Sequence, residues 1–171
     1  MSIESDILYD CLEERYSCRS FTAEKIKTEE LRQILNAARL APTAANNQPE
    51  RIIVVENNIL LEKLNEATRY TFDAKTILVI CYDEKESWKR RNDMADYGIV
   101  DATLAASNMV LMATTLGIGS CYVASFDEEK VKFILSLPKE YHVALLIPIG
   151  YPKEVKAHNT RLDIEDIVEY R

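Results

Sequence analysis

The 171-residue chain has 47% hydrophobic and 29% charged residues, the profile of an ordinary water-soluble protein, and its length suits one domain over 1–171. A net charge of −7 argues against nucleic-acid binding, which needs a basic face. Cys11, Cys18, Cys81 and Cys121 lack the close spacing of a zinc knuckle or a CxxC redox pair, and His142 and His158 alone cannot build a histidine-rich centre, so no metal is expected.

In chain order, Ile3, Ile7, Leu8, Cys11 and Leu12 recur at helical spacing and predict an amphipathic helix over 3–16. This opening stretch alternates apolar and acidic residues and lacks the apolar core of a signal peptide. No uncharged run approaches the ~18 residues that span a membrane, so a cytoplasmic protein with reduced thiols is expected. Thr28 is a candidate cap for a second helix, with Glu29 and Glu30 in its positive first turn and Leu31, Ile34, Leu35 and Ala38 as its buried face. Pro42 marks its end. After a loop rich in proline and asparagine (42–50), the β-branched run 51–56 predicts a buried strand.

A helix around 58–68 leads to a second such strand over 76–82. The alanine-rich, proline-free stretch 94–116 predicts one long helix, closed by Gly117 in the left-handed position. A strand at 119–124, a helix capped by Asp127 and running to Leu135, and a strand at 143–149 follow. The remaining segment is polar but carries Leu162, Ile164, Ile167 and Val168, a spacing that predicts docking. Interleaved helices and strands imply an α/β or α+β layered fold with helices on both faces of a sheet. With no GxGxxG and no P-loop, any phosphate is held by something other than a glycine-rich loop.

Arg15, Ser17 and Arg19 stand where the first helix runs out. In extended backbone the three project to one side, where two guanidinium groups and a hydroxyl form a receptor for phosphate and a second electron-rich group. The plain alternative is surface pairing with Glu13, Glu14 or Glu24.

The segment Arg15–Phe21 resembles the Arg-x-Ser-x-Arg/Lys signature of the nitroreductase family of FMN enzymes. Ala41–Pro49 resembles that family's Pro-Ser/Thr-x-x-Asn-x-Gln-Pro-Trp signature up to its last residue, Gly117–Asp127 its third and Pro148–Pro152 its last-strand ending, while Arg161 matches a late arginine. The resemblance implies an α+β fold, a mixed sheet with helices on both faces, in an intertwined homodimer whose C-terminal tails are swapped. It also implies FMN as cofactor and NADH or NADPH as co-substrate. Hydride then passes through flavin N5 to a small nitroaromatic- or quinone-like acceptor in a ping-pong scheme, with no catalytic side chain.

Carried over, Arg15, Tyr16 and Ser17 belong to the phosphate site, with Arg161 closing on it, and Arg19 lies beside flavin N1 and O2. Pro42, Thr43, Ala44 and Asn46 line the ring from the partner subunit, and the backbone of Ala124 and Ser125 faces N5. Two positions depart from the pattern: Glu50 replaces the signature's tryptophan and Ser125 a frequent glycine. Alternatives are a flavin-binding module with little turnover, or oxygen-dependent or dehalogenating chemistry on the same scaffold. Asn65 is a candidate for the pyrimidine contact. Asp101 reads as a satisfied structural carboxylate, Trp88 as a surface lid or packing anchor, Cys121 as a small core residue and His142 as a strand-edge residue.

Overall fold

A computed structural model describes residues 3–156 and 160–171 of the chain. His158 and the side chain of Ile3, both used in the sequence reading, lie outside what is described. The order is α1 (Ile3–Glu14), α2 (Thr28–Arg39), β1 (Glu50–Val55), α3 (Asn58–Leu64), β2 (Thr76–Asp83), α4 (Gly98–Thr115), β3 (Gly119–Ser120), α5 (Glu128–Leu135) and β4 (Tyr141–Gly150). Element types and their order follow the sequence reading. Several boundaries do not.

The sheet runs β1-β2-β4-β3, with every named pair antiparallel. The parallel component is an isolated bridge between Ser17 and Ser120, where the segment after α1 lies along β3. β2 is buried on both faces because it lies between β1 and β4 and is covered by helices above and below. Leu78 and Ile80 pack under α2 and α4, whereas Ile77, Val79 and Cys81 face the side of α3 and α5. A bulge between Ile80 and Cys81 shifts the register with β4 so that Ile80 opposes Leu145 and Cys81 opposes Val143. Helices therefore cover both faces, and each face holds its own core. No helix among the described residues is long and apolar enough to cross a membrane.

The cap expected at Thr28 falls one residue earlier. Lys27 holds the extended cap position, and its backbone N–H donates to Glu30 Oε2 at 3.3 Å, so Thr28 is already helical. The helix expected from residue 94 begins at Gly98, because Met94 is left-handed (φ 58°) and Gly98 N–H donates to the Asp96 carboxylate at 2.8 Å. Gly98 also packs on the Tyr82 ring so closely that a Cβ there would sit 2.1 Å from Cδ2. The strand expected at 119–124 shortens to two residues. Beyond it, Val123 still exchanges two backbone hydrogen bonds with Leu146, at 2.9 and 3.0 Å. Gly117 ends α4 at φ +69° as expected. Asp127 caps α5 by accepting from Lys130 N at 3.1 Å.

Candidate functional site

Three segments far apart in sequence converge at the β3 edge. The first is the extended stretch after α1. Cys18 is driven into the core (1% exposed), and its N–H donates to Ser120 O at 2.9 Å. Alternation then sends Arg15, Ser17 and Arg19 to the other side. There they stand beside Cys121 and Tyr122. Burial pushes the pKa of the Cys121 thiol up, offset in part by Arg19 and Ser17, and burial likewise raises that of the Tyr122 hydroxyl, offset in part by Ser107 and then by the charge of Arg15. No carboxylate pairs with Arg15 or Arg19 among the described residues. Pairing with Glu13, Glu14 or Glu24 is thereby set aside.

The second segment is Cys121–Ser125, which leaves β4 after Val123. Ala124 and Ser125 are exposed, and neither N–H makes a hydrogen bond among the described residues. The third is the turn 65–72. Thr68, 7% exposed, donates its hydroxyl to Ser125 O at 2.7 Å, and Asp127 N donates to Ala67 O at 2.9 Å, so the turn is fastened to the second segment. A cavity of 230 Å³ is enclosed by Arg19, Tyr70, Phe72 and Cys121–Ser125. It continues past Tyr70 and Ser125 into a shallower groove that contains Arg69. Tyr70, Phe72, Tyr122 and Arg69 were not singled out from the sequence. An aromatic turn between a helix and a strand carries no signal of its own until the fold brings it beside the arginines.

Other expected residues lie elsewhere. Tyr16 takes the opposite side of its segment and lines a cavity of 430 Å³ with Ile118, Gly119 and Pro152; Arg15, Ser17 and Arg19 do not line it. The Tyr16 hydroxyl donates to Glu154 O at 2.9 Å. Asn65 accepts from the Thr71 hydroxyl within the turn and lines the groove beside the Arg19 cavity, not that cavity itself. Arg161 is exposed and donates to Thr160 O at 3.3 Å. It lines neither the Arg19 cavity nor the groove beside it.

Pro42, Thr43, Ala44 and Asn46 form a separate, mostly exposed loop over the start of α4, and the Arg19 cavity includes none of them. Ala45, Asn46 and Gln48 are left-handed there, with φ of 53°, 58° and 53°. Such a conformation costs about 1–3 kcal/mol per non-glycine residue and persists only where the surroundings enforce it. Gln48 N donates to Thr43 Oγ1 at 3.1 Å, Asn47 Nδ2 to Glu86 O at 2.9 Å, and Ala44 N to Asp101 Oδ1 at 2.9 Å. Asp101 is thus satisfied on one oxygen only; Oδ2 is buried with no partner among the described residues, as is Oε2 of Glu50. Trp88 is half-buried edge-on to Tyr97, with ring centroids 5.2 Å apart. His142 stands between Glu84 (3.2 Å) and Glu128 (3.4 Å) at the sheet margin. No cluster of potential metal ligands occurs among the described residues.

Two cations without carboxylate partners beside two free N–H donors form a receptor for an electron-rich, partly anionic ligand. The model of the nitroreductase family matches residues 12–76 and 69–151 of the chain. A protein of Archaeoglobus fulgidus, named both for NADH dehydrogenase and for NAD(P)H nitroreductase, is 35% identical over 159 residues, covering 86% of this chain and 88% of its own. Among solved structures, a nitroreductase family protein of Clostridium difficile 630 superposes with a TM-score of 0.90 at 30% identity over 94% of this chain and 96% of its own. An FMN-dependent nitroreductase of Clostridium difficile R20291 does so with a TM-score of 0.80 at 29% identity, again over 94% and 96%.

Proposed function

The chain belongs to the nitroreductase family, and from that premise we propose that it is an FMN-dependent NAD(P)H oxidoreductase acting on a small nitroaromatic- or quinone-like acceptor. The observation that carries this reading is Arg19 facing the unbonded N–H groups of Ala124 and Ser125 across one cavity, with Arg15 on the same side of its segment and neither arginine paired with a carboxylate among the described residues. In a chain of net charge −7, two uncompensated guanidinium groups on one short segment suit an anionic ligand.

The residues fit FMN. Arg15 and Ser17 supply a charge-assisted donor and a hydroxyl for its phosphate, with Arg161 as the third member of that site. Arg19 places a fixed positive charge against the pyrimidine edge, where reduced flavin gathers negative charge. Backbone N–H groups of Ala124 and Ser125 offer donors to the N5 edge, and neither residue has a left-handed φ, so serine serves there as well as glycine. Tyr70 and Phe72 form an aromatic wall of the cavity. When bound, FMN supplies two-electron chemistry between nicotinamide and acceptor, and the protein contributes position and charge. No side chain is assigned as acid or base.

The loop at Pro42–Asn46 is assigned to the flavin of a second subunit, since it stands apart from its own chain's Arg19 cavity. The reading therefore includes a homodimer, and we place the protein in the cytoplasm. Anaerobic visible spectra of the purified protein, taken before and after NADH and then NADPH, test it. Flavin bands that bleach with either nucleotide are expected. Bands that persist would favour a flavin-binding module with little turnover. Absence of uptake after FMN is added would overturn the assignment.

A further inference from the structure

Asp101 sits in the first turn of α4, 2% exposed, where the helix's positive end favours a carboxylate. Its Oδ1 receives the Ala44 N–H at 2.9 Å across 57 positions of sequence. The other hydrogen bonds of the 43–48 loop run within the loop, from Arg51 Nη1 to Gln48 O, or from Asn47 to Glu86 O. Asp101 is therefore the one tie between this strained loop and a buried helix, among the described residues. Its second oxygen is shielded from solvent and unpaired. A polar core residue bonded to Ala44, directly before left-handed Ala45 and Asn46 where local sequence would prefer another conformation, fixes the loop's presentation rather than adding general stability.

We propose that Asp101 is a positioning residue for FMN: by holding Ala44 N–H it sets the backbone of Thr43–Asn46 at the distance the flavin ring requires. This rests on the flavin reading above. It makes α4 of one subunit a determinant of cofactor affinity in the other, without Asp101 touching the cofactor.

The test compares FMN dissociation constants, by flavin fluorescence, for wild type, Asp101→Ala, Asp101→Asn and Ala44→Pro. Asparagine keeps the Oδ1 acceptor and is expected to stay within about threefold of wild type, whereas alanine weakens binding about tenfold. Proline at 44 removes the donor and sets its Cδ where the N–H faced Oδ1, at the first position of a helical turn that follows extended Thr43. It is expected to match Asp101→Ala, and the double variant to add nothing, since both remove one bond. Should Asp101→Ala fail to fold, the Ala44→Pro and Asp101→Asn pair still decides. Equal FMN affinity in wild type and Ala44→Pro overturns the positioning role alone, and additive losses in the double variant do the same. A wild-type protein that takes up no FMN overturns the flavin reading and this inference with it.

Discussion

Arg15 is half-buried, cationic and without a carboxylate partner among the described residues, although acidic residues flank it at 13 and 14. If it holds the FMN phosphate, Arg15→Ala weakens FMN binding by about 1.5–3 kcal/mol, the scale of a hydrogen bond to a charged group. Fluorescence titration measures this, and an unchanged affinity would remove Arg15 from the phosphate site. Cys81, with no exposure, has its thiol pushed up to about 12 from 9.0, first by burial and then by the charge of Glu128. A raised folded-state pKa stabilises the protein below the unfolded value and ceases to do so as pH climbs through the folded one. Urea midpoints should therefore fall between pH 9 and 12, and fall less in Cys81→Ala; parallel decline in both proteins would refute the assignment. The motif residues were legible because the family fixes their order along the chain. Half-satisfied Asp101 was not, since its partner is 57 positions away and no local pattern announces it.

Elements were legible wherever one physical signal dominated. Buried β-branched runs gave β1, β2 and β4, and the helical period gave α1 and α2. Boundaries set by a tertiary contact were missed. α4 begins at Gly98, after left-handed Met94 and with Asp96 accepting the Gly98 N–H, and a Cβ at Gly98 would meet the Tyr82 ring, a contact visible only once β2 and α4 are packed. Gly98→Ala should accordingly destabilise by about 1–3 kcal/mol through overpacking, read as a lowered urea midpoint with unchanged slope. A neutral result would mean that the Tyr82 ring swings aside freely. The start of α5 makes the contrasting case, because its cap is local and was legible. Asp127 accepts from Lys130 N, and Asp127→Ala should cost about 1 kcal/mol in thermal or urea melts. Because Asp127 N also ties to Ala67 O, backbone-preserving substitution separates the cap from the fastening of the 65–72 turn. A loss well above the cap's scale would show that the side chain serves both.

At the scale of the whole molecule, apolar surface is distributed unevenly. Ile7, Leu8 and Leu12 on α1 are 60%, 57% and 51% exposed, and Leu40 at the end of α2 is 64% exposed. Leu162, Ile164 and Ile167 in the last segment are 70%, 63% and 68% exposed. A groove between α1, α2 and α4, lined by Ile7, Leu8, Leu40 and Leu111, accounts for part of the first set. Monomers rarely leave large contiguous apolar patches in water, and a stable homodimer characteristically buries about 2,000 Å² or more on the scale of known interfaces. The proposed dimer answers two separate demands, covering these faces and bringing the 42–46 loop to a flavin that its own chain does not reach. Those demands predict coupled behaviour. Ile164→Asp with Ile167→Asp should shift sedimentation from twice 19.6 kDa toward 19.6 kDa, and FMN affinity should fall with the dimer fraction, rising again at high protein concentration. Loss of the dimer with FMN affinity intact would mean that each chain completes its own site, and the assignment of Pro42–Asn46 to the partner's flavin would have to be withdrawn. A wild-type protein that sediments as a monomer while bleaching with NADH would go further: it would leave the exposed apolar faces to some other partner and make Arg15, Arg19, Ala124 and Ser125 sufficient by themselves.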